Sequence, residues 1–140
     1  MASRAAQITN RKEVRVLYRT LAPNLPIWNG TGELQTLINK KAVEQSVKNL
    51  VATYPTERYY HLDIGCMASR ALFEFADQFN ADRLADQIRQ TITNYEQRAA
   101  QPQVVVTPFP QEDYFNVDIS FIIVATGEAV DIPTIVLRTR

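Results

Sequence analysis

Apolar positions recur at helical spacing through the first half of the chain. Leu34, Leu37 and Ile38 lead into Val43, Val47, Leu50 and Val51, the last three lying four, seven and eight residues after Val43 on a single face. This predicts a helix that Asn39 caps and that Pro55, with Thr53 and Thr56 beside it, brings to an end. A loop is expected from Thr56 to Cys66. Leu72, Phe73, Ala76 and Phe79 then predict a short second helix over Ser69–Phe79, with Ser69 as its cap. The clearest stripe is the third, Ala81, Leu84, Ile88, Ile92 and Tyr95, with Asp82, Arg83, Asp86, Arg89 and Gln90 off it. Asn80 is its expected N-cap, Asp82 suits the positive end of the helix dipole and Arg98 lies near the negative end.

Beyond Gln103 the period changes to two. Val104-Val105-Val106 reads as a strand closed by Pro108 and Pro110. Tyr114 to Val124 alternates Phe115, Val117, Ile119, Phe121 and Ile123 against Asn116, Asp118 and Ser120, and becomes apolar on both faces at Ile122 and Val124. Thr126-Gly127-Glu128 is a turn, and Ile132 to Leu137 a third strand with Pro133 near its start. The expected fold is therefore α+β, three helices packed on one face of a small, mainly antiparallel three-stranded sheet near the C-terminus. Upstream, Leu21 to Gly30 holds two prolines and an Asn-Gly pair, an irregular lead-in where Trp28 packs over the core edge.

Composition sets limits on this picture. The 140 residues suit one domain, and 46% hydrophobic against 21% charged residues supply enough apolar surface to fold. Fifteen basic and fifteen acidic residues cancel, which gives no summed field to hold the protein on nucleic acid or an anionic membrane. Locally, Arg4, Arg11, Lys12, Arg15 and Arg19 face only Glu13, so residues 1–19 read as a basic N-terminal arm and 20–140 as the domain. The arm suits an acidic partner, or is a solvated tail. No apolar run approaches the roughly 20 residues of a membrane-spanning helix, and the N-terminus has no apolar signal segment. A soluble protein made in a reducing cytoplasm is expected, later export within a larger assembly being compatible with it.

Candidate chemistry is sparse. One cysteine, Cys66, and one histidine, His61, cannot form a disulfide or a zinc-ligand set. As a nucleophile and base they are weak, since a lone cysteine is usually a small buried hydrophobe. Glu57, Asp63, Glu74 and Glu96 lie near loops or helix ends where paired carboxylates could cleave a glycosidic bond, but none is marked as buried against an aromatic. No catalytic residue, metal site or cofactor is expected. More telling is a three-stranded sheet with two open edges and few protecting charges, which invites a foreign strand.

Two motifs give a resemblance. Arg58-Tyr59-Tyr60-His61-Leu62-Asp63-Ile64-Gly65-Cys66, followed by Leu72-Phe73-Glu74, resembles the Arg-Pro-Phe-x-Pro-x-Phe-Gly-Cys and Leu-Phe-Glu pattern of the baseplate wedge family of contractile phage tails. Asn94-Tyr95-Glu96-Gln97-Arg98 resembles that family's Tyr-Glu-Pro-Arg, which closes the long helix before a valine-rich strand. The likeness runs from about Leu17 to Leu137. Here Gln97, Tyr59 and Leu62 replace prolines and Ile64 a phenylalanine, while Gly65 is kept where a tight turn needs positive φ.

The resemblance implies a tail sheath initiator in the virion's baseplate, present in six copies, which contacts other baseplate wedge proteins and the tail sheath protein. It implies wedge binding by Glu96, Gln97 and Arg98 with Arg58 and Tyr60. It also implies a terminal sheet that exchanges strands with sheath subunits, through Val117, Ile119, Phe121 and Ile123 and through Ile135, Val136 and Leu137. Left exposed, the Glu96–Arg98 pair contributes about 0–1 kcal/mol; at a desolvated interface truncation of one member costs roughly 2–5 kcal/mol. The family has been labelled lysozyme-like, so a muramidase acting on peptidoglycan is the alternative to a structural protein.

Overall fold

The computed structural model describes residues 15–23, 34–68, 70 and 74–138, the last five of them by backbone alone. In chain order the elements are β1 (Arg19–Leu21), β2 (Thr36–Ile38), α1 (Asn39–Ala52), α2 (Gln78–Tyr95), β3 (Ala99–Phe109), β4 (Tyr114–Ile123) and β5 (Ala129–Arg138). Strands β1 and β2 form an antiparallel pair, and β3, β4 and β5 form an antiparallel meander with β4 in the middle.

The expectation of three helices on a single three-stranded sheet is therefore corrected to two helices and two sheets among the described residues. Two causes account for it. Residues 74–77 are not helical, because Asp77 and not Asn80 caps α2: its Oδ1 accepts the Asn80 backbone N–H at 2.8 Å, and Phe79 joins α2. Asn80 instead donates its side-chain amide to the Phe75 carbonyl at 3.0 Å. Of the expected second helix over Ser69–Phe79, Arg70 lies in a short 3₁₀ turn with Met67 and Ala68 that precede it, and Ser69 and residues 71–73 lie outside the described residues, as does Trp28. The added sheet consists of two three-residue strands, too short to show an alternating pattern in the sequence.

Asn39 is not the cap of α1 either; Ile38 occupies that position without a side-chain bond. Asn39 adopts φ of 46°, a left-handed conformation that asparagine tolerates better than most residues. From there its Oδ1 accepts the N–H groups of Leu17 and Tyr18, and its Nδ2 donates to the Arg15 carbonyl at 3.0 Å. One side chain thus fastens residues 15–18, the inner end of the basic segment, to the start of α1.

The core lies between the helices and one face of the meander. Val43, Val47 and Val51 of α1 and Leu84, Ile88 and Ile92 of α2 meet Phe115, Val117, Ile119, Phe121 and Ile123 of β4 and Val130 and Ile132 of β5. The period-two reading of β4 is thus visible as burial of alternate side chains. Strand β3 begins earlier than its valines suggest and carries an irregularity between Ala100 and Gln103, where Gln101 has φ of 51° and Pro102 cannot donate. The register of β5 on β4 also shifts, between Val117 and Ile119, opposite Pro133. Gly127, with φ of 66°, closes the β4–β5 turn by donating to the Ile123 carbonyl at 2.8 Å.

Candidate functional site

The two motifs fold against each other. Thr53 at the end of α1 accepts the Cys66 N–H at 2.8 Å, and the Thr56 N–H meets the Leu62 carbonyl at 2.9 Å, so residues 54–65 close into a compact finger. Gly65 makes this closure possible. Its φ is 149°, and a Cβ there would lie 2.7 Å from both the Pro55 nitrogen and the Thr53 oxygen, a distance that backbone atoms do not permit. At the tip Tyr59 and Tyr60 are 94% and 96% exposed, with Arg58 also in solvent. The finger is tied to the last turn of α2 by the Tyr95 hydroxyl, which donates to the Asp63 carbonyl at 2.8 Å.

One residue further on, α2 gives way to the turn into β3, and here lies the one buried charged residue among those described. Glu96 is only 5% exposed. Its Oε1 accepts Arg98 Nε at 2.6 Å, and its Oε2 accepts both Arg98 Nη2 and Ser46 Oγ at 2.6 Å. Arg98 Nη2 also donates to Ser46 Oγ at 2.9 Å, and the guanidinium carbon sits 5.3 Å from the centre of the Tyr18 ring. The Val124 N–H donates to the Arg98 carbonyl, which joins the same turn to the end of β4. Lead-in, α1, α2 and the meander therefore converge on one bidentate ion pair.

Burial pushes the Glu96 carboxyl up, but the hydrogen bonds from Arg98 and Ser46, with the Arg98 charge, outweigh it and hold the group below its usual range. The hydrogen bonds that Arg98 donates to Glu96 raise Arg98 in turn, against the opposing effect of its own partial burial. Glu96 is an ionised acceptor with both oxygens occupied. The pair is thus largely withdrawn from solvent on its acidic side, while the Arg98 side chain remains partly exposed. Gln97 between them is exposed.

Of the wedge-binding residues inferred from the motifs, Glu96, Gln97 and Arg98 follow Tyr95, whose hydroxyl ties α2 to the finger that carries Arg58 and Tyr60. The fold separates the strand-pairing residues. Val117, Ile119, Phe121 and Ile123 are buried core residues of β4, a strand already paired on both flanks, so none offers a free edge. Ile135, Val136 and Leu137 lie opposite Val117, Asn116 and Phe115 on β5, whose other flank bears no strand among the described residues. Strand β3 forms the opposite edge, with Pro102 and Pro108 interrupting its donors.

Two partners went unseen in the sequence, Ser46 and Tyr18. Ser46 falls three residues after Val43 and four before Leu50, a hydroxyl set into an apolar stripe, which is a signal that a buried polar group awaits it. For Tyr18 no such signal exists.

The remaining candidate chemistry disperses. Cys66 is buried, which pushes its thiol up despite hydrogen bonds from the Ala68 backbone and Thr91, while His61 is exposed. Glu74 pairs with Arg83 of α2 and Glu96 follows the end of that helix; the 13 residues from Arg83 to Glu96 rise by about 20 Å, beyond the roughly 5–9.5 Å of a glycosidase pair. Glu57 and Asp63 are neighbours within the finger, both in solvent, and Glu57 accepts the Tyr54 N–H. Among the described residues no three His, Cys, Asp or Glu side chains cluster as metal ligands, and no helix is long and apolar enough to cross a membrane.

These elements make a small α+β domain with an internally neutralised joint, an exposed aromatic finger and a β5 flank that bears no strand among the described residues. The family model for baseplate wedge protein gp25 matches residues 39–128, from the start of α1 through the β4–β5 turn, and the chain belongs to that family. It is thus a structural component of the phage tail baseplate, with other baseplate components as its neighbours. Among solved structures, a "putative tail lysozyme" from Geobacter sulfurreducens has the same fold, with a TM-score of 0.64 at 16% identity over 71% of this chain and 90% of that one. No curated protein sequence matches.

Proposed function

We propose that this protein is a non-enzymatic assembly subunit that docks on other wedge proteins through the finger and the Glu96–Arg98 joint and templates the first sheath ring by strand addition to β5. On this reading residues 20–140 are the assembly domain and 1–19 a basic arm. Six copies, made in the host cytoplasm, enter each baseplate. The observation that carries it is the outer flank of β5, which bears no strand among the described residues and has no proline after Pro133. Such a flank presents main-chain donors and acceptors that a partner's extended segment satisfies. The prolines and the irregularity of β3 make that edge the poorer template.

Backbone amides of neighbouring strand residues point to opposite flanks. Of Ile135→Pro and Val136→Pro, one therefore breaks the ladder to β4 and destabilises the domain. The other leaves its melting transition in place while removing an outward donor. Introduced into the phage, the folded variant is expected to yield baseplates and tubes without sheath, scored by electron microscopy. Sheathed tails from both variants would refute strand addition at β5. The muramidase alternative is checked separately: turnover of purified peptidoglycan, lost on Glu57→Gln, Asp63→Asn, Glu74→Gln or Glu96→Gln, would overturn the non-enzymatic reading.

A further inference from the structure

The segment before β1 reaches the Glu96–Arg98 joint from outside, and one residue holds it there. Asn39 Oδ1 accepts the Leu17 N–H at 2.8 Å and the Tyr18 N–H at 3.3 Å, its Nδ2 donates to the Arg15 carbonyl, and its backbone N–H donates to the Tyr18 carbonyl at 2.8 Å. Among the described residues no other group hydrogen-bonds to residues 15–18. Val16 and Leu17 turn their side chains to solvent, so packing does little to fix them. Tyr18 is different: it is half-buried at the margin of the core, and its ring lies on Arg98.

The backbone of Asn39 sharpens the point. Its φ of 46° is one that glycine adopts without strain, so a turn alone needs no asparagine. What the side chain adds is the tether.

The Arg98 guanidinium is fixed from two directions. Glu96 and Ser46 hold its Nε and Nη2, and the Tyr18 ring centre stands 5.3 Å from its central carbon. Bonds to one edge leave a planar group free to tilt, and a ring beside it restricts that tilt.

We propose that Asn39 positions Arg98 through Tyr18: by pinning residues 15–18 it keeps the ring on the guanidinium and makes this segment a working part of the joint. Its consequence for docking, a weaker wedge contact when the tether is cut, rests on the reading of Arg98 as a wedge-binding residue. The positioning itself does not.

The test is NMR on the full chain, following the Arg98 Nε–H signal, which needs no partner. Asn39→Gly keeps the left-handed backbone and deletes the three side-chain bonds. The Arg98 signal is expected to shift and its exchange with water to quicken about two- to fivefold, the factor that a partly exposed cation–π contact corresponds to. Tyr18→Leu should do the same with Asn39 intact, which covers the case of an Asn39 variant that folds poorly. Asn39→Asp keeps an acceptor for the Leu17 and Tyr18 N–H groups, and Tyr18→Phe keeps the ring, so both should hold the signal near its wild-type position. Exchange of the Val117 amide, in the middle of β4, should be unchanged in all four.

An Arg98 signal unmoved in Asn39→Gly and Tyr18→Leu would overturn the proposal, as would equal effects from Asn39→Gly and Asn39→Asp, or quickening at Val117 in step with Arg98 in both deletions. Baseplate yield from phage carrying Asn39→Gly, scored by electron microscopy, tests the reading beneath it. A moved signal with normal yield would keep the positioning and remove Arg98 from the wedge contact.

Discussion

Removing Arg98 should cost far more than a surface ion pair does. In Arg98→Ala the Glu96 carboxylate stays buried, keeps Ser46 as its one side-chain donor and loses two charge-assisted bonds of 2.6 Å. Breaking a buried pair by deleting one partner costs about 3–5 kcal/mol. The Arg98 side chain is 36% exposed, so water replaces part of what is lost, and about 2–3 kcal/mol is the working figure. At roughly 3 °C per kcal/mol for a chain of this length, the melting temperature should fall by about 6–9 °C.

The pH dependence sets this mechanism apart from simple loss of packing. In the wild type the folded-state pKa of Glu96 is depressed, so its contribution is present at neutral pH and is lost as pH falls through the folded value. Without Arg98 burial dominates and the folded-state pKa rises above the unfolded one, so protonation relieves the variant as pH falls. The stability gap should therefore be largest near neutrality and narrow below the usual carboxylate range of about 4. Urea titrations of both proteins across that range measure it. Adding Glu96→Gln to Arg98→Ala should recover part of the loss at neutral pH, because no buried charge is then stranded. A gap below about 1 kcal/mol, in the range of an exposed pair, or one that does not change with pH, would refute the argument.

Three further outcomes follow from the same geometry. Asp77→Ala should cost about 1 kcal/mol by removing the side-chain cap of α2, read as a fall of roughly 3 °C in the melting temperature. Gly65→Ala sets a Cβ 2.7 Å from backbone atoms at φ of 149°, so the Cys66 amide should lose its hydrogen-exchange protection and stability should drop by about 1–3 kcal/mol; unaltered protection would contradict the closure ascribed to glycine. Because burial raises the Cys66 thiol, an aromatic disulfide reagent should fail to label folded protein at pH 7–8 and react at once in denaturant; rapid labelling of the native chain would place Cys66 outside the core.

What could be read from the residues was what local physics dictates. The apolar stripes of α1 and α2 and the alternation of β4 are one-dimensional records of which side faces the core, and these elements form close to where the pattern puts them. Boundaries were less legible because competing caps lie within three residues: Asp77 and Asn80 are both good N-caps, and it is Asp77 whose side chain accepts the Asn80 N–H. The pair β1 and β2 was illegible for another reason, since its register rests on Asn39 holding residues 15–18 from more than twenty positions away. At the site, the motif marked Glu96 and Arg98, but their burial depends on Ser46, fifty residues upstream.

These contacts divide the candidate site by what each residue has left to offer. Glu96 has spent both oxygens within the domain, so its contribution to any interface is to fix the guanidinium of Arg98 in one orientation. Arg98 bonds through Nε and Nη2 while its side chain stays 36% exposed, so its orientation is fixed by the pair within the domain. Gln97, Tyr59, Tyr60 and Arg58 have little or nothing buried at stake and are the parts of the site with surface to give a neighbour. The sheet shows the same division: β4 pairs with neighbours on both flanks, and β5 has one flank that bears no strand among the described residues. On the proposed reading, a wedge contact centred on Arg98 beside the exposed aromatic finger would have part of its ordering cost met during folding, which leaves more of the contact energy for assembly.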